Sequence, residues 1–262
     1  MADLIDNVRA AVSDRVELPG MSLMEHLAEL RTRLIHSVAW IAVGVVIAYI
    51  FHVPLIEYIQ RPLVNIGLKM TMTHPTDALN FLIKTSVVVG IIIASPFVLY
   101  QLWLFISPGM YANEKRYVVP FMGATVGLFL SGAWFGYRWV LPGAMSFLIQ
   151  DVGKNFTHMI TIEDYTQFFL SVILGLGICF ELPILMFFLA LFGIVDGKFF
   201  LRQWRYAVLV IFLVSAIICP LQDPFSMCLF ASPMLVLYIL GVLTAFVVHP
   251  ASRKAKELKK TA

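Results

Sequence analysis

Charge is scarce in this chain. Lys and Arg number 19, Asp and Glu 16, and together they make up 13% of its 262 residues, while hydrophobic residues make up 60%. Soluble domains carry about 25% charged residues, so this composition excludes an ordinary globular protein and points to a polytopic membrane protein. Cysteine is rarer still. Cys179, Cys219 and Cys228 lie in or beside apolar stretches, without metal-ligand spacing, which reads as packing rather than a metal centre. Cys219 and Cys228 flank one turn, and whether an oxidising compartment pairs them stays open. Enzymatic signatures are missing as well: there is no HExxH, no GxSxG and no phosphate-cradling glycine loop. The six histidines, at 26, 36, 52, 74, 158 and 249, fall mostly at span ends or in loops. No catalytic residue, metal or cofactor is expected. The net charge of +3 comes without a basic patch interleaved with aromatics, which argues against nucleic acid as a partner. Residues 1–20 are polar and lack the short apolar core and small-residue cleavage site of a signal peptide, and no internal repeat is visible.

What the chain does have is apolar runs. Six stand out, at residues 34–53, 81–104, 118–141, 168–192, 206–219 and 227–248, most of them near the ~20 residues that cross ~30 Å of hydrocarbon. The fifth is short. Cytoplasmic loops retain Lys and Arg, and alternating the six runs puts fourteen of the 19 basic residues on the side of the N-terminus. Both termini are therefore expected in the cytoplasm. The expected fold is an all-α integral membrane protein of six transmembrane helices. Pro96, Pro120, Pro183 and Pro233 lie inside the runs, and bends at these positions make the bundle curved and concave. The chain divides into an N-terminal cytoplasmic arm (1–20), a six-span membrane domain (21–250) and a basic cytoplasmic tail (251–262) suited to anionic lipid. Two outside loops, 54–80 and 142–167, are long enough for a structured cap; a third, 220–226, is a tight proline-rich turn.

Four acids carry the functional argument. Ser22 and Glu25 have capping-box spacing, opening an amphipathic helix in which Leu23, Leu27, Leu30 and Leu34 share one face and Glu25, Glu29 and Arg33 another. Glu29 and, in the 2–3 connection, Glu114 fall on one small cytoplasmic face, where two carboxylates suit two guanidinium groups, since arginine binds carboxylate as a fixed fork. Each also has a plainer reading, Glu29 as an i,i+4 partner of Arg33 and Glu114 as a solvated loop acid. Glu181 is an acid deep within a run, in Phe180-Glu181-Leu182-Pro183, an expensive and normally functional placement. It suits either a partner contact or, as an alternative class of function, the proton site of a proton-coupled secondary transporter. Asp223 lies within the last outside turn.

The order and spacing of several short pieces resemble the TatC family, the polytopic core subunit of the twin-arginine translocase. The pieces are His26 through Arg33, Ser95-Pro96 through Phe105, Pro108 through Tyr111, Glu114-Lys115-Arg116 with Pro120, Phe180 through Pro183, Arg202 through Tyr206 and Asp223 through Ser226. The resemblance implies six spans with both termini inside. It implies that Glu29 and Glu114 form the recognition site for the paired arginines of a signal peptide, with Leu30, Arg31 and Phe105 nearby. Glu181 matches the family's intramembrane glutamate, in contact with partner subunits, and Asp223 the aspartate of the outside turn. The implied function is that of a signal-peptide receptor in an inner-membrane translocase that exports folded proteins on the proton-motive force and hydrolyses nothing itself. The implied partners are single-span subunits of the TatA and TatB type, twin-arginine signal peptides, the lipid bilayer and further copies of a larger complex.

Overall fold

The structure is a computed structural model and describes residues 23–106, 118–155, 159–191, 193–219 and 223–248. The arm at 1–20, the Ser22 half of the capping box, the Pro108–Arg116 motif with Glu114, the start of the last turn at 220–222 and the tail at 251–262 lie outside the described residues.

The first apolar run is α1 (Leu23–Ile50), followed by α2 (His52–Asn65). Then come a short strand, β1 (Met70–Thr71), and α3 (Asp77–Ile106). At 1.5 Å per residue, the 28 residues of α1 and the 30 of α3 extend about 42 and 45 Å, enough to cross a hydrocarbon core with turns to spare. α4 (Val118–Phe135) runs through a π-helical turn (Gly136–Val140) into α5 (Leu141–Ser146) and a second π turn (Phe147–Val152). β2 (Ile160–Thr161) and α6 (Ile162–Cys179) follow, then α7 (Leu182–Leu191), α8 (Gly197–Arg202), α9 (Trp204–Ile218) and α10 (Pro224–Val248). Among the described residues four segments are long and apolar enough to span a membrane: Met24–Ile50, Asp77–Phe105, Ile162–Leu191 and Pro224–Phe246. The fifth apolar run, short in sequence, forms the 15 residues of α9, about 22 Å of helix.

The fold is mostly helical, as expected, with one small addition: β1 and β2 pair in parallel, with Met70 opposite Ile160 and Thr71 opposite Thr161. The two long connections meet there and satisfy one another's backbone groups. Those connections are structured, as expected of a cap: the first contains α2, and the second continues the helix of the third run through Val152. Pro142 lacks the amide hydrogen and crowds the carbonyl four residues back, and the π turn immediately before α5 takes up that misfit. Pro96 and Pro233 do lie inside helices. Pro183 does not bend a continuous helix; it stands in the first turn of α7, just past a break between Cys179 and Leu182, where a missing amide hydrogen costs little. α7 then stops at Gly193, whose φ of 70° is open to glycine.

α1 packs chiefly on α3, α3 on α4 and α6, and α10 on α7 and α9. The main core lies where the long connections meet the helices: Ile59 and Leu63 of α2, Phe81 of α3, Leu141 and Ala144 of α5, and Tyr165 and Phe168 of α6. Two buried or half-buried tyrosines tie the connections down. Tyr165 donates its hydroxyl to the Ile59 carbonyl at 2.6 Å and Tyr137 to the Tyr58 carbonyl at 2.7 Å. Lys84 of α3 and Glu163 of α6 add a cross-helix ion pair. Cys179 and Cys219 are buried, and Cys228 carries a free, exposed thiol.

Candidate functional site

The face that α1 turns toward α3 is its polar one. Glu29, Arg33, Ser37, Ile41, Gly44 and Ala48 step by four or three along one side and are buried or half-buried, while Leu27, Leu30 and Leu34 are exposed. In a bilayer this distribution is the economical one: leucines need no protein cover where lipid surrounds them, whereas charges need partners.

α1 and α3 come together along two aromatic contacts and one polar one. His26 stacks on Phe105 with ring centroids 4.5 Å apart, and Trp40 stacks on Phe97 at 4.1 Å. Between them Arg33 donates from Nη2 to Glu29 Oε1 and from Nη1 to Gln101 Oε1, each at 3.3 Å. Glu29 Oε2 and Arg33 Nε are enclosed and have no hydrogen-bond partner among the described residues. The helices approach closely because Gly44 meets Gly90; a Cβ on Gly44 stands 2.3 Å from the Gly90 carbonyl oxygen.

Of the residues singled out in the sequence, Glu29 and Phe105 are therefore brought to one end of the α1–α3 pair. Leu30 and Arg31 are exposed on α1 beside them. The i,i+4 pairing of Glu29 with Arg33 is made. Glu114 lies outside the described residues. Gln101 was not singled out, although it lies in the Ser95–Phe105 motif; an amide inside an apolar run was the signal that it needs a polar partner.

Glu181 sits in the break between α6 and α7. Its amide donates to the Ile178 carbonyl, and its own carbonyl accepts from Ile184 and Leu185. Its side-chain Oε1 is enclosed and has no hydrogen-bond partner among the described residues. Asp223 precedes α10 and caps it, Oδ2 accepting from the Ser226 amide at 2.7 Å, with Pro224 as the first helical residue. Among the described residues no group of His, Cys, Asp and Glu is arranged to hold a metal ion.

The family model described as Sec-independent protein translocase protein (TatC) matches residues 25–233. This chain belongs to the TatC family. It is 48% identical over 255 residues to the Sec-independent protein translocase protein TatC of Koribacter versatilis, a match covering 95% of this chain and 93% of the relative. With the TatC of Deinococcus radiodurans it shares 36% identity over 247 residues, 92% of each chain. A crystal structure described as the twin arginine translocase receptor TatC superimposes with a TM-score of 0.78 at 35% identity, covering 86% of this chain and 99% of that one. A second crystal structure, described as the twin arginine translocase receptor TatC in DDM, gives the same TM-score over 84% of this chain. The His26–Phe105 contact and the Glu29–Arg33–Gln101 cluster thus belong to a TatC fold, and the protein is a membrane-embedded component of the twin-arginine translocase.

Proposed function

We propose that this TatC is the signal-peptide receptor and core subunit of a twin-arginine translocase in the bacterial inner membrane, with six spans and both termini in the cytoplasm. Glu29 and Glu114 bind the two arginines of the signal peptide, flanked by Leu30, Arg31 and Phe105. The observation that carries the reading is the position of Glu29: a half-buried carboxylate at the end of α1, held against α3 beside the His26–Phe105 stack, with one oxygen engaged and one without a donor. Glu114 enters this reading through the sequence alone, as the acid of the Glu114-Lys115-Arg116 motif in the connection between α3 and α4. The match to a solved structure described as a receptor supports this assignment.

The concave bundle receives the apolar part of the signal, and Glu181 with the neighbouring helices contacts single-span subunits of the TatA and TatB type. The proton-motive force drives transport, the basic tail at 251–262 rests on anionic lipid, and several copies join in one complex. The test is photocrosslinking of a twin-Arg signal peptide and its Lys-Lys version to membranes containing wild-type, Glu29→Ala or Glu114→Ala protein. Labelling is expected only for the twin-Arg peptide on wild type; equal labelling of every combination overturns the assignment. Co-purification from native membranes checks the partners, and absence of small single-span proteins counts against the role given to Glu181.

A further inference from the structure

The Glu29–Arg33–Gln101 cluster is not built as a firm structural bridge. Arginine and carboxylate that hold structure together commonly meet through two parallel bonds of about 2.7–2.9 Å. Here Arg33 touches Glu29 once, at 3.3 Å, and leaves Nε idle and enclosed, while Glu29 leaves Oε2 idle and enclosed. The Glu29 side chain is only 16% exposed. A guanidinium arriving from outside therefore finds one carboxylate oxygen held by Arg33 and reaches the second only when Arg33 moves aside. Gln101, 8% exposed, offers Arg33 a neutral acceptor fixed within α3. That contact does not depend on Glu29.

We infer that Arg33 is a resident guanidinium, occupying Glu29 until an arginine of the incoming peptide replaces it, and that Gln101 holds Arg33 after the exchange. This rests on the reading of Glu29 as the acid that binds the signal peptide. The exchange makes no new charge pair in net terms, so its cost falls on every ligand alike and lowers apparent affinity by the fraction of time Glu29 is released. Discrimination is a difference of affinities and stays with the ligand: an arginine fork makes two bonds where it displaces one, and a lysine ammonium replaces one with one. Arg33 thus sets a threshold that a single point contact does not clear. In this role Arg33 and Gln101 are positioning residues for Glu29.

The experiment titrates a fluorescent twin-Arg signal peptide, and its Lys-Lys version, against the full chain in nanodiscs. Arg33→Gln is expected to tighten both peptides by the same factor, about two- to five-fold, as for loss of one partly exposed ion pair. Gln101→Leu is expected to weaken both, and the double variant to behave like Arg33→Gln alone. Opposite signs from two side chains in contact are not what a shared structural role produces. Weaker or unchanged binding by Arg33→Gln overturns the inference. So does a tightening that persists when Glu29→Gln is also present, since that is a general charge effect. If Glu29→Gln leaves twin-Arg binding intact, the receptor reading itself fails; if it weakens binding while Arg33→Gln fails to tighten it, only the exchange fails.

Discussion

The contact between Gly44 and Gly90 sets how closely α1 approaches α3, and a single methyl group tests it. A Cβ built on Gly44 lies 2.3 Å from the Gly90 oxygen, and one built on Gly90 lies 2.6 Å from the Val45 amide nitrogen; the obstacles are backbone atoms, which cannot swing aside. Ordinary contact begins near 3.4 Å, so either alanine forces the helices apart by roughly 1 Å. Overpacking of this kind costs about 1–3 kcal/mol, offset in part by the 0.5–1 kcal/mol that alanine contributes over glycine within a helix. The damage reaches the polar cluster. Arg33 and Gln101 each lie eleven residues from the crossing glycine of their own helix, about 16 Å along the axis, and a separation of ~1 Å lengthens their 3.3 Å contact beyond hydrogen-bond range. Thermal unfolding of purified protein in detergent reads the effect. Gly44→Ala and Gly90→Ala are expected to melt below wild type. Gly123→Ala and Gly127→Ala in α4, where an added Cβ meets nothing within 4 Å, are expected to melt at or above it. Gly44→Ala and Gly90→Ala that melt like these controls would refute the close approach.

Other outcomes follow from the same contacts. Tyr165→Phe leaves the Ile59 carbonyl without its 2.6 Å donor and is expected to lower stability by about 1–3 kcal/mol. Glu163→Gln breaks an ion pair whose partners are 43% and 44% exposed, and is expected to cost about 1 kcal/mol or less; detergent melting curves rank the two, and the reverse order contradicts the assigned burial. Asp223→Ala removes the cap of α10 and is expected to cost about 0.5–2 kcal/mol, seen as a lower melting temperature that Asp223→Asn largely restores. Glu181→Leu removes an enclosed oxygen that has no donor and is expected to hold or raise the melting temperature; a large drop would mean the carboxyl is satisfied in the folded protein.

The helices were largely legible in the sequence, because apolar runs of membrane length have few ways to fold. The break at Glu181 was half legible. Pro183 marked the place, but whether a proline bends a helix or starts a new one depends on packing around it, and α7 begins afresh beside α10. The long connections read as outside loops bounded by Pro54 and Pro142, yet Pro54 falls in the first turn of α2, where its missing amide hydrogen costs little, and a π turn carries the chain past Pro142. A two-residue parallel ladder has no local signature at all. At the candidate site Glu29 was legible as a charged residue at a span entrance. Gln101 was half legible: an amide inside an apolar run announces the need for a polar partner, but that the partner is Arg33, 68 residues away on α1, is not written locally. Lys84 entered the reading only as a charge that orients the chain, and its partner Glu163 lies 79 residues away.

The pairing of Met70 with Ile160 also constrains the order in which the protein is made. The strands lie ninety residues apart, and the Ile59 carbonyl waits on a hydroxyl from Tyr165. Until the ribosome has delivered the segment that leads into α6, the earlier connection has neither its strand partner nor its tyrosine. The first three apolar runs must therefore enter the bilayer with the end that carries β1 unfinished, and its completion is a late event in biogenesis. A nascent chain halted before residue 160 is expected to be readily cut there by an added protease, and one extended past α6 to resist it.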